Sequence, residues 1–411
     1  MNIRSLAAAL AASVTLSFGA AQATDLEVTH WWTSGGEAAA VAELAKAFNA
    51  TGNKWVDGAI AGGGDTARPI MISRITGGDP MGATQFNTGR QANELVEAGL
   101  MQDVTDVAKA EGWDKIINPP SLYASCVKDG KWFCVPINIH SWQWMWLNNG
   151  VFEKIGKPVP KNWDEFVATV PDLQKAGIIP LAVGGQSWQS TGLFGVLQVA
   201  LGGQDLWKKI NVDKDAKAAA GPEMLKVFKA AAQAREWSKD TKVQDWNQAT
   251  NMVITGKAAA QIMGDWAQGE FAVAGKVAGK DYTCLPGLGV NEILDTGGDS
   301  FYFPKQKDPE KTKAQMVLAK TLLSKETQVA FNLKKGSLPV RGDVDLKAAN
   351  DCMKKGLEIL KAGKVLPSGT QVISPDTQGQ LQDVIDKFWH DSSITPEEAQ
   401  KQYAAIIAKA D

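Results

Sequence analysis

The chain of 411 residues carries 43 Lys+Arg against 45 Asp+Glu, a formal net charge of -2, with 44% hydrophobic residues. That length exceeds one ordinary core and predicts two domains or one large bilobal unit, with the apolar content of a globular rather than a disordered protein. Charge so near balance leaves no electrostatic footprint for nucleic acid or an anionic membrane surface, while 15 Trp beside only 4 Tyr call for bulky cores or for flat apolar binding faces.

In chain order, Arg4, the apolar stretch Leu6 to Phe18 and the small-x-small site Ala21-Gln22-Ala23 predict a cleavable signal peptide over residues 1–23 and export. No later stretch reaches the roughly 18 uninterrupted apolar residues of a membrane span, so direct membrane insertion is not expected. Leu26 to Trp32 alternates as a first strand. Thr33-Ser34-Gly35-Gly36-Glu37 then turns into a helix with Val41, Leu44, Ala45 and Phe48 on one face, and Ser34 with Glu37 has the spacing of a capping box. Gly62-Gly63-Gly64 reads as a loop. Cys126 and Cys134 bracket an Asp129-Gly130 hairpin signal, which in an oxidising compartment predicts Cys126–Cys134 and leaves Cys284–Cys352. Gln261-Ile262-Met263 reads as a strand, Gly297-Gly298 as a loop, and Thr395-Pro396-Glu397-Glu398 as a helix start. Alternating strands and helices predict an open α/β architecture, and no Pro/Ser-rich linker separates its halves.

The motifs of common catalysis are missing. No phosphate loop, dinucleotide fingerprint, HExxH, GxSxG or EF-hand loop occurs, and the three histidines, His30, His140 and His390, are scattered. No cofactor, metal or catalytic residue is therefore expected. A carboxylate pair acting on a glycoside is the alternative from the enzyme class.

Trp31-Trp32 closes the first strand, where ligands gather in open α/β sheets. Adjacent strand residues face opposite ways, so core packing and ligand contact both remain open for the pair. His30-Trp31-Trp32-Thr33-Ser34-Gly35-Gly36-Glu37 resembles the opening of the extracytoplasmic sugar-binding proteins of bacterial ABC transporters. Pro136-Ile137-Asn138-Ile139-His140 with Trp146-Leu147-Asn148, Lys161 to Phe166, Gly264-Asp265-Trp266-Ala267, Asp299-Ser300-Phe301 and Lys335 to Arg341 follow in the same order. The likeness covers essentially the whole chain after the leader. It is nearest to the glucose/mannose-binding branch and more distant from maltose-binding proteins.

The resemblance implies a two-lobed periplasmic binding protein fold, with a sugar held in the cleft and closed over by a hinge. By analogy, one lobe takes 24–138 with 294–340 and the other 139–293 with 341–411. Trp31, Trp32 and Glu37 are implied at the cleft from the first lobe, Glu37 having an equal reading as capping-box partner. Gln85 and Asn87 are implied as polar sugar contacts or plain loop residues, with Arg90 structural. His140 is implied at the crossover, Trp188 in the Gly184-Gly185-Gln186-Ser187-Trp188 loop, Trp266 as the main stacking face, and Asp299 and Lys335 as charged clamps. Indole faces cover the C–H faces of a pyranose, and planar polar groups take its hydroxyls. Relatives that bind glucose carry a His in the segment matching Pro367 to Gln371, where this chain has none. The implied partners are a neutral sugar and an inner-membrane ABC permease, for a monomer in the periplasm. A sugar sensor for chemotaxis or signalling is a further use of the same lobes.

Overall fold

Two separate sheets organise residues 23–410, the span described by the computed structural model. The rest of the expected leader, residues 1–22, lies outside the described residues. The first sheet contains β1 (Asp25–His30), β2 (Lys54–Ala59) and β3 (Ala83–Asn87), all parallel with β1 in the middle. Parallel neighbours need crossover connections, which α1 (Gly35–Asn49) and α2 (Gly63–Thr76) supply. Strands Asp299–Tyr302 and Cys134–Pro136 extend this sheet antiparallel, with Asp299 opposite Asn87 and Phe301 opposite Gln85.

β1 buries Leu26 and Val28 but ends at His30, two residues before the sequence predicts. The next two backbone N–H groups find side-chain acceptors instead of a ladder. Trp31 donates to Gln85 Oε1 at 3.0 Å and Trp32 to His30 Nδ1 at 3.3 Å, which turns the chain off the sheet. α1 carries the predicted capping box and buries Val41, Leu44 and Phe48. The glycine run is a loop only in part. Gly62 caps α2 with φ 101° and Gly63 opens it with φ 74°, backbone angles that glycine adopts without a Cβ penalty.

The second sheet centres on Trp144–Asn148, flanked antiparallel by Tyr282–Pro286 and Ala258–Ile262, with Ile179–Leu181 parallel to the latter. Helices Ser187–Asn211, Pro222–Ser238, Pro375–His390 and Pro396–Ile407 belong to its core through Leu193, Phe194, Leu197, Phe228, Phe388 and Tyr403. The last helix starts where the sequence predicts, and there Thr395 and Glu398 form a capping box.

The chain moves between the sheets without a linker. It leaves the first at Pro136 and enters the second at Trp144, then returns between Pro286 and Asp299. Bridges Ile139–Leu338 and His140–Gly297 hold three passing segments side by side. The fold is thus two α/β lobes on a shared floor of crossing segments. Both expected disulfides form. Cys126–Cys134 closes the short hairpin whose turn residues Asp129 and Gly130 have φ of 51° and 74°, and Cys284–Cys352 ties the second sheet to helix Asp351–Lys361. Among the described residues no helix is long and apolar enough to cross a membrane.

Candidate functional site

A cavity of about 930 Å³ lies between the lobes. The carboxyl end of β1, the start of α2, the crossing segments and the first turns of helix Ser187–Asn211 all open onto it. This is where an open α/β sheet presents a ligand site, because loops there converge without being filled by core side chains.

The floor is built from paired charges. Asp299, at 2% exposure, accepts from Gln85 Nε2 at 2.7 Å on one oxygen, and on the other from Asn138 Nδ2 at 2.9 Å and His140 Nδ1 at 3.2 Å. Burial alone would lower the His140 imidazole. The charge and hydrogen bond of Asp299 outweigh that effect and raise it above its ordinary value. Burial likewise opposes ionisation of Asp299, but His140, Lys335 and Asn138 hold its carboxyl below the ordinary range. Lys335 Nζ donates to Glu37 Oε1 at 2.8 Å, while Glu37 Oε2 accepts from the Ser34 backbone N–H at 3.4 Å. Glu37 therefore caps α1, as one of its two sequence readings has it, and holds the lysine at the cavity wall at once. Each of these two carboxylates thus has a basic partner, Lys335 for Glu37 and His140 for Asp299.

Behind them, Asp265 takes the Ser141 N–H at 2.9 Å on one oxygen, and its other oxygen is sealed without a partner. Burial pushes its carboxyl up to about 8, so it is protonated at neutral pH. Asp295, raised chiefly by burial, reaches the cavity from the other side and accepts from Ser141 Oγ and the Trp142 N–H, each at 2.8 Å.

Aromatic faces form the walls. The Trp266 ring stands edge-on to His140 at 5.3 Å and to Trp142 at 5.0 Å, and Trp142 meets Trp188 at 5.7 Å. Gly264 is required under Trp266, since a Cβ there would sit 2.1 Å from the indole. Trp188 donates its Nε1–H to Gln186 Oε1 at 2.9 Å and faces Gly63 of α2 across the gap. Trp31 is partly exposed to the cavity. Trp32 touches it but is 2% exposed, packed on Phe301 and Phe331. The lobes meet at the rim, where Gln382 Nε2 donates to Asp65 Oδ2 at 2.9 Å and to Ser187 Oγ at 2.8 Å.

The residues singled out from sequence come together at the cavity wall, with one exception. Gln85 is fully buried behind Asp299, occupied by that carboxylate and the Trp31 N–H. It supports Asp299 and does not reach the cavity, because it lies two residues deeper in β3 than Asn87 on the same face, covered by the Asp299 carboxylate. Asn87 does line the space, and its side-chain amide makes no hydrogen bond among the described residues. The Pro367–Thr370 segment, without its histidine, also lines the wall; Thr370 Oγ1 donates to the Thr88 carbonyl at 2.9 Å. Sequence reasoning missed Trp142, Trp246, Asp295 and Gln382. Trp142 stands two residues after His140 and was open to the same inference. Asp295 and Gln382 carry no local signal, since only the folding of distant segments brings them here.

Residues 32–329 match the family model for bacterial extracellular solute-binding protein. A probable sugar-binding periplasmic protein of Mesorhizobium japonicum is 38% identical over 407 residues, covering 97% of each chain. Among solved structures, a chitin oligosaccharide binding protein superposes with a TM-score of 0.76 at 19% identity, covering 95% of this chain and 99% of its own. The solute receptor AcbH, described with an exclusive preference for β-D-galactopyranose, gives 0.75 at 21% identity, covering 93% and 98%. The two structures share the two-lobed fold, and with the family match and the close relative they establish that this chain belongs to the bacterial extracellular solute-binding proteins.

Proposed function

We propose that the protein is the periplasmic receptor of an ABC importer, binding a neutral hexose such as glucose or mannose between its lobes and passing it unchanged to the inner-membrane permease. The observation that carries this is the cavity floor: two acid–base pairs, Glu37–Lys335 and Asp299–His140, set beneath the Trp266 face. An indole covers a C–H face, and the fixed polar pairs meet hydroxyls. Trp31, Trp32, Glu37, Asn87, His140, Trp188, Trp266, Asp299 and Lys335 are the proposed contacts, with Gln85 supporting Asp299. The lobe division at 24–138 with 294–340, and 139–293 with 341–411, goes with this reading, as do an exported monomer and the absence of catalysis.

Titration calorimetry against glucose, mannose and galactose tests it, with Trp266→Ala beside the wild type. The variant should bind weaker by about 2 kcal/mol or more, the scale of a buried aromatic anchor. Chromatography of the sugar after prolonged incubation should recover it intact. Protein-dependent consumption would move the case to a glycoside hydrolase, and wild-type affinity in a folded Trp266→Ala would remove the site assignment.

A further inference from the structure

The cavity does not end at the tryptophans. It continues along helix Ser187–Asn211, opposite helix Pro375–His390, to Gln198, Asn211 and Tyr403. Two helical glycines face it. Gly192 is explained by packing, since a Cβ there would fall 2.2 Å from the Trp142 ring. Gly195 is not, because a Cβ there would meet nothing within 4 Å. A glycine in a helix interior costs about 0.5–1 kcal/mol relative to Ala, and no neighbour uses the room this one leaves.

The far end holds a polar group with unused capacity. Asn211, 4% exposed, donates through Nδ2 to the Trp207 carbonyl at 2.9 Å and to Gln198 Oε1 at 3.3 Å. Its Oδ1 accepts no hydrogen bond among the described residues. Gln198, 3% exposed, lies against the Met224 sulfur at 3.7 Å and hydrogen-bonds the Tyr403 hydroxyl. Among the described residues the Asn211 carbonyl oxygen is thus left without a donor, which is costly for a group so buried. Between the tryptophans and this end the walls include Phe194, Ile373, Leu381 and Ile385.

We infer that this extension is an aglycone pocket, so that the receptor takes O-glycosides of its hexose that carry a small aryl group ending in a hydroxyl. The inference rests on the hexose site proposed above. Apolar walls suit a flat ring, and the Asn211 carbonyl oxygen accepts from one terminal hydroxyl. The total volume of about 930 Å³ sits at the top of the roughly 300–1,000 Å³ that encloses drug-sized ligands, well beyond the needs of a single hexose.

The test is calorimetry with glucose, mannose and galactose, their methyl and 4-hydroxyphenyl glycosides in both anomers, and maltose and cellobiose. For the sugar that binds, one anomer of the 4-hydroxyphenyl glycoside should bind wild type about tenfold or more tighter than the methyl glycoside, the scale of burying an aromatic ring. Gly195→Leu, which fills the open space with a better helix former, should erase that advantage while leaving affinity for the free hexose unchanged. Should that variant fold poorly, the wild-type ligand series still decides. Equal affinity for aryl and methyl glycosides, with the hexose binding normally, overturns the aglycone pocket and leaves the receptor reading intact. An aryl advantage that survives in folded Gly195→Leu overturns its location, and tighter binding of a disaccharide overturns the ligand class. Failure of every sugar and glycoside to bind overturns the receptor reading itself, and this inference with it.

Discussion

Replacing Asp299 with Asn tests the electrostatic logic of the floor. The carboxylate accepts three hydrogen bonds, from Gln85, Asn138 and His140. An amide has one acceptor atom, so its NH2 must point at a donor whichever way it turns. If it points at Gln85, that side chain cannot simply flip to help, because its oxygen already holds the Trp31 N–H. If it points the other way, it faces Asn138 and His140. At least one buried hydrogen bond to a charged acceptor is lost, about 1.5–3 kcal/mol each, and a donor is left facing a donor. Asp299→Asn should therefore lower folding stability by about 2–4 kcal/mol at pH 6. With the Asp299 charge gone, the burial of His140 is less opposed, so its pKa should fall. The sign for wild type follows. A His with a raised folded pKa adds stability that is fully present below its unfolded value and is lost as pH rises through the folded one. The destabilisation by Asp299→Asn should thus shrink between pH 6 and pH 8. Urea denaturation at both values and NMR titration of the imidazoles supply the measurements. An unchanged unfolding midpoint together with an unchanged His140 titration would refute the reasoning.

Asp265 is held protonated, with a folded pKa of about 8 against an ordinary 3.8. A raised carboxyl pKa means that folding is favoured while the group keeps its proton, so wild-type stability should fall as pH rises from about 4 to about 8. Asp265→Asn mimics the protonated form and should flatten that decline, matching wild type at or below about pH 4 and exceeding it increasingly up to pH 8; parallel pH profiles would contradict this. Lys335→Met strands Glu37, since the pair is 3% and 8% exposed in its side chains, and should cost about 3–5 kcal/mol of stability. The double variant Glu37→Gln/Lys335→Met should recover part of that loss, and a simply additive thermal denaturation result would show no coupling. Non-reducing peptide mapping should find both disulfides. Removing Cys284–Cys352, with a separation of 68, should destabilise about 2 kcal/mol more than removing Cys126–Cys134, with a separation of 8, because a longer loop loses more entropy when closed. Equal unfolding midpoints for the two Cys→Ala pairs would count against that.

The local devices were legible in the chain because each is completed within a few residues. The Ser34/Glu37 capping box, the helix start at Thr395, the Asp129-Gly130 hairpin and the disulfide across it need no distant partner. The ordered motifs likewise marked Trp266, Asp299 and Lys335 without any knowledge of their neighbours. What each side chain then does was decided by tertiary contacts. Gln85 sits on the side of β3 that meets Asp299, a pairing set by strands more than two hundred residues apart in sequence. Trp32 is spent mostly on Phe301 and Phe331, and β1 stops early because Gln85 and His30 capture the next N–H groups. Asp295 and Gln382 become part of the cavity only when crossing segments and a late helix fold back onto it. The open space at Gly195 is of the same kind. A glycine in a sequence does not say whether a neighbour fills its vacancy, because that depends on side chains arriving from helices nearly two hundred residues away.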